Sequence, residues 1–305
     1  MPTAYANGLD IEYELAGPDN GPVVLLIMGL AAQMTAWSDE FLTAFHTAGY
    51  RTLRFDNRDI GKSQKIHDKR PPNIIGQMFR KRIGVPGGAP YRLEDMAKDT
   101  ESLMNALGIA KAHVVGVSMG GMIAQIFAGK YPARTLSFTG IMTTTNNRAL
   151  PGASREIRGH LLKPIKAAAT REEAIQRSMM MWDLIGTKDS GAADGELRAK
   201  IEAAYDRSNY PVGPRRQISA IGETGDLRRY TRKIKAPALI IHGNADPLVT
   251  KEGGMDIAKN IPGSKLELID GMGHDLPRKH VAHITTVMIN HMQAAQTTRR
   301  TEAAE

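Results

Sequence analysis

The chain has no cysteine. That excludes disulfides, thiolate zinc sites and a cysteine nucleophile, and it fits a reducing compartment. Long apolar runs are also missing. The longest, Val23 to Met28, falls far short of the about 20 residues that a membrane-spanning helix needs. The opening MPTAYANGLDIEYEL has no charged start followed by an apolar core, so no secretory leader is expected and the expected location is cytoplasmic. No internal repeat of solenoid or propeller type is visible.

What is present is ordinary for a globular protein. The 305 residues are 42% hydrophobic and 24% charged, enough for one large α/β domain with an insertion or for two smaller domains. The net charge is +8. Basic residues are spread along the chain and interleaved with acidic ones, which reads as a solvated surface and not as a nucleic-acid or acidic-lipid footprint.

In chain order, residues 3–17 read as a hairpin around Asn7-Gly8, with Ile11, Tyr13 and Leu15 alternating against Glu12 and Glu14. Val23 to Met28 reads as a strand buried on both faces. A helix is expected over 37–48, closed by Gly49, and a strand over 51–56. Residues 64–91 form an irregular insertion rich in Pro, Gly and basic residues, with a short helix expected near 74–82. Its Arg80-Lys81-Arg82 cluster reads as a solvated loop. Then follow helix 93–107, strand 112–117, helix 119–130 and strand 134–142. Between Thr143 and Lys235 strand signals vanish, and helices are expected over 155–169, 171–184, 195–205 and 215–222. Strands return at 238–241 and 265–269, each followed by a helix, 251–260 and 280–292. Alternating strands and helices imply a parallel sheet with helices on both faces, whose active residues sit at the carboxyl ends of strands.

One stretch stands at such an end. AHVVGVSMGG, Ala112 to Gly121, places Ser118 between Gly116 and Gly120, where a strand gives way at once to a helix. Gly-x-Ser-x-Gly in that context is a nucleophile elbow, the glycines leaving room for a sharp turn that holds the hydroxyl out at the sheet tip. A serine hydroxyl needs a base, and the base needs an orienting acid. The loop after the last strand, Asp270-Gly-Met-Gly-His274, offers His274. The loop after the preceding strand, His242-Gly-Asn-Ala-Asp246-Pro, offers Asp246. The order Ser, Asp, His is that of the hydrolase elbow fold. His280 and His283 are rivals for the base, but they fall in a helical pattern. Asp226 and Asp270 are rivals for the acid. Read as a metal pair, His280 and His283 lack a carboxylate at matching spacing, so neither a metal nor a cofactor is expected. Oxyanion donors are expected from the backbone N–H groups of Met119, at the helix start, and Leu30, after Met28-Gly29.

The stretches LLIMGLAAQMTAW, RFDNRDIGKS, VVGVSMGGMIAQ, IIHGNADPLV and IDGMGHDLP resemble the serine-esterase and lactonase branch of the α/β-hydrolase superfamily. The Met-Gly start, the Asp-x-Arg-Asp-x-Gly-x-Ser loop and the Gly-Met-Gly-His-x-Leu-Pro end are similar to aclacinomycin methylesterase-type carboxylesterases. The resemblance implies an α/β-hydrolase fold, a mostly parallel eight-stranded sheet flanked by helices, with a helical lid inserted after the sixth strand. It implies Ser118 as nucleophile, His274 as base, Asp246 as orienting acid, and Leu30 and Met119 as the oxyanion hole. Met28 replaces the histidine of many members, and Asp59 stands where many have glycine, a loop read as structural. A serine at 118 disfavours epoxide-hydrolase and dehalogenase chemistry, which needs a carboxylate there.

The expected organisation is a core first part, 1–142, a lid, 143–235, a core second part, 236–295, and a flexible tail, 296–305. SMMMWDLIG, Ser178 to Gly186, is the most apolar part of the lid and offers Met180, Met181 and Trp182 as substrate-pocket residues. The expected activity is hydrolysis of small-molecule carboxylic esters through an acyl-serine. Lactone or carbon–carbon bond hydrolysis, or a non-catalytic receptor on the same fold, are the alternatives. A homodimer is the oligomer this reading allows.

Overall fold

The computed structural model describes residues 1–305 except 68–75, 78–79, 81–82, 84, 86, 163–169 and 303–305. Strands β1 (Thr3–Ala6) and β2 (Leu9–Ala16) form the expected hairpin. Its turn residues Asn7 and Gly8 have φ 51° and 80°, the mirror-image turn that matches strand twist and that Asn-Gly adopts readily. The other strands are β3 (Val23–Ile27), β4 (Arg51–Phe55), β5 (Ala112–Val117), β6 (Thr135–Ile141), β7 (Ala238–Gly243) and β8 (Lys265–Ile269). Together they make one sheet in the order β1-β2-β4-β3-β5-β6-β7-β8. The β1–β2 and β2–β4 pairings are antiparallel, and every pairing from β4 to β8 is parallel.

Parallel strands are buried on both faces, and the two faces separate by alternation. Leu25, Ile27 and Val114 point to one core, with Leu93, Met96 and Leu103 of α2 (Leu93–Ala106) and Ile123 and Phe127 of α3 (Met119–Lys130). Val24, Leu26 and Val115 point to the other. There they meet Phe41 and Phe45 of α1 (Asp39–Thr47) and Val281, Ile284 and Met288 of α10 (Arg278–Glu302). Helix α9 (Lys251–Asn260) covers the first face through Ile257.

Several helix limits differ from expectation, and two of them have a plain physical reason. Helix α1 starts at Asp39 and not at Trp37, because the Ser38 hydroxyl accepts the Phe41 N–H at 3.3 Å and caps the helix. Trp37 lies outside the helix yet stays buried, its ring 4.9 Å from that of Phe41. Helix α10 runs on to Glu302, through most of the segment expected to be a flexible tail. No glycine or proline lies between 278 and 302 to stop it, and its apolar stripe continues to a buried Ala295. The short helix expected near 74–82 and the end of the helix expected over 155–169 lie largely outside the described residues, as do Lys81 and Arg82.

Between β6 and β7 the described elements are all helices: α4 (Arg155–Leu162), α5 (Arg171–Ile185), α6 (Glu196–Arg207), α7 (Val212–Thr224) and α8 (Arg228–Thr231). Buried charges join them to the sheet. Arg207, ending α6, donates to Asp56 Oδ2 at 2.7 Å and pairs with Glu12. Arg216 of α7 donates to Asp59 Oδ1 at 3.1 Å. Asp59 has φ 68°, where glycine would be unstrained. Its carboxylate is fully buried, so the aspartate that departs from the Arg-Gly pattern serves the structure by anchoring the guanidinium of Arg216. Among the described residues, no helix is long and apolar enough to cross a membrane.

Candidate active site

Parallel strands end on one edge of the sheet, so the loops after β3, β5, β7 and β8 converge there. Ser118 follows β5 with φ 54° and ψ −121°. That conformation is strained for a residue with a side chain, by about 1–3 kcal/mol, and its surroundings hold it. Its N–H donates to Ile141 O at 2.9 Å, and its carbonyl accepts the Thr143 hydroxyl at 2.7 Å. The flanking glycines are required by close approach. A Cβ on Gly116 would overlap the Gly120 carbonyl, and one on Gly120 would overlap the Ile27 carbonyl.

His274 Nε2 stands 2.9 Å from Ser118 Oγ, and His274 Nδ1 stands 2.7 Å from Asp246 Oδ2. A carboxylate only accepts, so Nδ1 carries a ring proton, and Nε2 faces the serine hydroxyl. Both His274 and Asp246 are buried. Burial pushes the Asp246 carboxyl up, but the imidazoles of His242, 3.6 Å away, and of His274 outweigh it, with the Val249 N–H adding to them, and hold the group down at about 2.

The rivals lie elsewhere. Asp270 is exposed and accepts from Asn244 at 2.6 Å. Asp226 pairs with Arg228 at 2.5 Å. His283 meets Glu267 at 2.7 Å, and His280 is in the first turn of α10. Among the described residues no group of three or more His, Cys, Asp or Glu could hold a metal ion.

The loop after β3 lies against the serine. A Cβ built on Gly29 would be 3.2 Å from Ser118 Cβ and 3.8 Å from Oγ, and Leu30 follows directly. Met119 opens α3, so its N–H belongs to the first turn, which has no intrahelical acceptor, at the positive end of the helix dipole.

Two polar residues beside His274, Thr187 and Asp275, were not among the expected site residues. Thr187, just past α5, accepts the Gly273 N–H at 2.9 Å, and its own N–H and hydroxyl donate to Asp275 Oδ1 at 3.0 and 2.5 Å. The His274 N–H donates to Ile185 O at 2.7 Å. The end of α5 therefore holds the histidine loop on both sides of the ring. Asp275 lies within the IDGMGHDLP stretch, whereas Thr187 lies 87 positions before His274 and only folding brings it there. Of the expected pocket residues on α5, Met180 and Trp182 are 56% and 36% exposed and Met181 is half-buried, while the residues that α5 buries are Ile175 and Ile185.

The family profile described as the alpha/beta hydrolase fold matches residues 22–163. A rhodomycin D methylesterase of Streptomyces sp. (strain C5) is 24% identical over 309 residues, covering 92% of this chain and 94% of that protein. A Variovorax paradoxus (strain S110) protein, provisionally named a carbamate hydrolase, is 30% identical over 268 residues, covering 87% of this chain and 90% of its own. The crystal structure of the enol-lactonase from Burkholderia xenovorans LB400 superposes with a TM-score of 0.74 at 22% identity, over 96% of this chain and 100% of that one.

Proposed function

Because the chain belongs to the α/β-hydrolase fold family, we propose that it is a serine carboxylesterase that cleaves small-molecule carboxylic esters through an acyl-serine. The observation that carries this reading is the continuous hydrogen-bonded line from Ser118 Oγ through His274 to Asp246, at 2.9 and 2.7 Å. As Ser118 Oγ bonds to the ester carbonyl carbon, its proton passes to His274 Nε2. The carbonyl oxygen takes up negative charge between the N–H groups of Leu30 and Met119. His274 then gives its proton to the departing alkoxide, which leaves as the alcohol. Water next gives a proton to His274 and attacks the acyl carbon. The tetrahedral species collapses, the carboxylic acid leaves, and Ser118 recovers its proton.

The likeness to the rhodomycin D methylesterase across 92% of this chain supports an ester as the bond cleaved. An intact Ser, His and Asp argues against a non-catalytic receptor. Residues 143–235 are assigned as the lid, inserted between the core parts 1–142 and 236–295. Exposed Met180 and Trp182 then serve at its outer surface or at the mouth of the site, not in a closed pocket.

The test is labelling with a fluorophosphonate together with hydrolysis of short p-nitrophenyl esters. The wild-type chain should label at Ser118 and release a burst of nitrophenol before steady turnover. Ser118→Ala should not label and should lose at least about a thousandfold in kcat. Undiminished hydrolysis by that variant would overturn the mechanism.

A further inference from the structure

We propose that Gln217, on α7 of the helical insertion, is a positioning residue for the oxyanion hole; this rests on the esterase reading above. Gln217 is fully buried. Its Oε1 accepts the Ala31 N–H at 3.0 Å, and its Nε2 donates to the Arg58 carbonyl at 3.2 Å. One amide thus bridges the loop after β3 to the loop after β4.

The bridge matters because of where Ala31 lies. The N–H assigned to the oxyanion belongs to the peptide between Gly29 and Leu30. The peptide before it is tethered at its carbonyl, Met28 O, which accepts from Asn57 Nδ2 at 2.9 Å. The peptide after it is tethered at its N–H, that of Ala31, by Gln217. Fixing the planes on both sides leaves the middle one little freedom, which is what preorganised donation to a developing charge requires. Ala31 also has φ 63°, a conformation disfavoured for alanine, so the loop needs an outside constraint to stay there. The same hydrogen bond occupies the Ala31 N–H, so that group is not the loop's donor to the oxyanion.

The helix bearing Gln217 cannot easily drift. The adjacent Arg216 is joined to buried Asp59, and a Cβ on Gly213, in the first turn of α7, would overlap the Asp59 carbonyl. The insertion therefore builds one wall of the catalytic machinery as well as covering it.

The experiment compares full-length wild type with Gln217→Met, which keeps the length of the side chain and removes both hydrogen bonds, and with Gln217→Glu, which keeps an acceptor for Ala31. Steady-state hydrolysis of a short p-nitrophenyl ester is measured alongside inhibition by a trifluoromethyl ketone, whose adduct places an oxyanion in the hole. Gln217→Met is expected to lower kcat roughly ten- to hundredfold with little change in KM, and to weaken the ketone in the same proportion, because a misaimed donor costs part of the loss seen on deleting one. Gln217→Glu is expected to recover most of kcat. Wild-type kcat and ketone affinity in Gln217→Met would overturn the proposal. So would equal losses in Gln217→Met and Gln217→Glu, which also decides the matter if Gln217→Met folds poorly. Failure of the wild type itself to hydrolyse esters or to label with fluorophosphonate would instead defeat the esterase reading.

Discussion

His274 Nδ1 lies 2.7 Å from Asp246 Oδ2, while the other oxygen of that carboxylate accepts the N–H groups of Leu248 and Val249 at 2.9 Å each. The backbone bonds fix the carboxylate, and the fixed carboxylate fixes the ring. Asp246→Asn keeps the shape but can turn an N–H₂ toward Nδ1, favouring the tautomer with the proton on the wrong nitrogen. We expect kcat for ester hydrolysis to fall by roughly 10⁴, with the fold retained. Steady-state kinetics with circular dichroism check this, and a kcat within about tenfold of wild type would contradict the assigned role.

The same carboxyl makes stability depend on acid pH. Asp246 is held at about 2, against roughly 3.9 for an unfolded aspartate. The folded value is the lower one, so the contribution is present above the unfolded value and lost as pH falls through the folded one. It amounts to roughly 2–3 kcal/mol and should be lost between about pH 5 and pH 1. Urea unfolding at stepped pH should show a shallower decline over this window for Asp246→Asn than for wild type. Parallel declines would count against the linkage.

Gly120 has no room for a side chain, because backbone and not a flexible side chain stands in the way, at the Ile27 carbonyl. Gly120→Ala must push α3 away from β3 and open the elbow. A loss of more than about 3 kcal/mol is expected, with loss of labelling at Ser118. A melting temperature near that of wild type would show that the packing yields.

Asp59 and Arg216 are both buried, and the carboxylate is one partner of a guanidinium that also meets Tyr210 Oη at 3.0 Å. Glycine suits φ 68° better than aspartate does, yet Asp59→Gly should destabilise by about 3 kcal/mol, since it strips the carboxylate from a buried charge. Denaturant unfolding distinguishes this from the small gain that relief of backbone strain alone would produce.

Much of the core is legible because its signals are local. The apolar runs VVLLI and ALII, short and bounded by Pro and Gly, read as strands buried on both faces, and Asn7-Gly8 favours its turn. The elbow was readable for the same reason, since a serine between two glycines at a strand–helix junction is a statement about close backbone approach. His274 and Asp246 were readable because parallel strands deliver their following loops to one edge. The helix starting at Asp39 instead of Trp37 was missed because the apolar period does not distinguish a capped helix from the buried turn before it. The last helix runs ten residues past the expected Met292, through most of the expected tail 296–305, because the apolar period fades there although nothing in the polar residues breaks a helix.

The insertion is where reading along the chain ends. Its helices were expected from periodicity, but Thr187, Arg207, Arg216 and Gln217 lie in no motif. Each acts through a partner far off in sequence: Asp275, Asp56, Asp59 and Ala31. A helical period says which face is apolar and nothing about which buried amide will meet which backbone N–H. The sequence by itself determined the strands and the elbow, because each follows from the packing of neighbours along the chain, and it offered Ser118, Asp246 and His274 as candidates because each follows a strand of one parallel sheet. Only the tertiary structure decided how the histidine loop and the loop before Ala31 are held. Those bonds join segments that share no local constraint, and they form only where both partners are buried together.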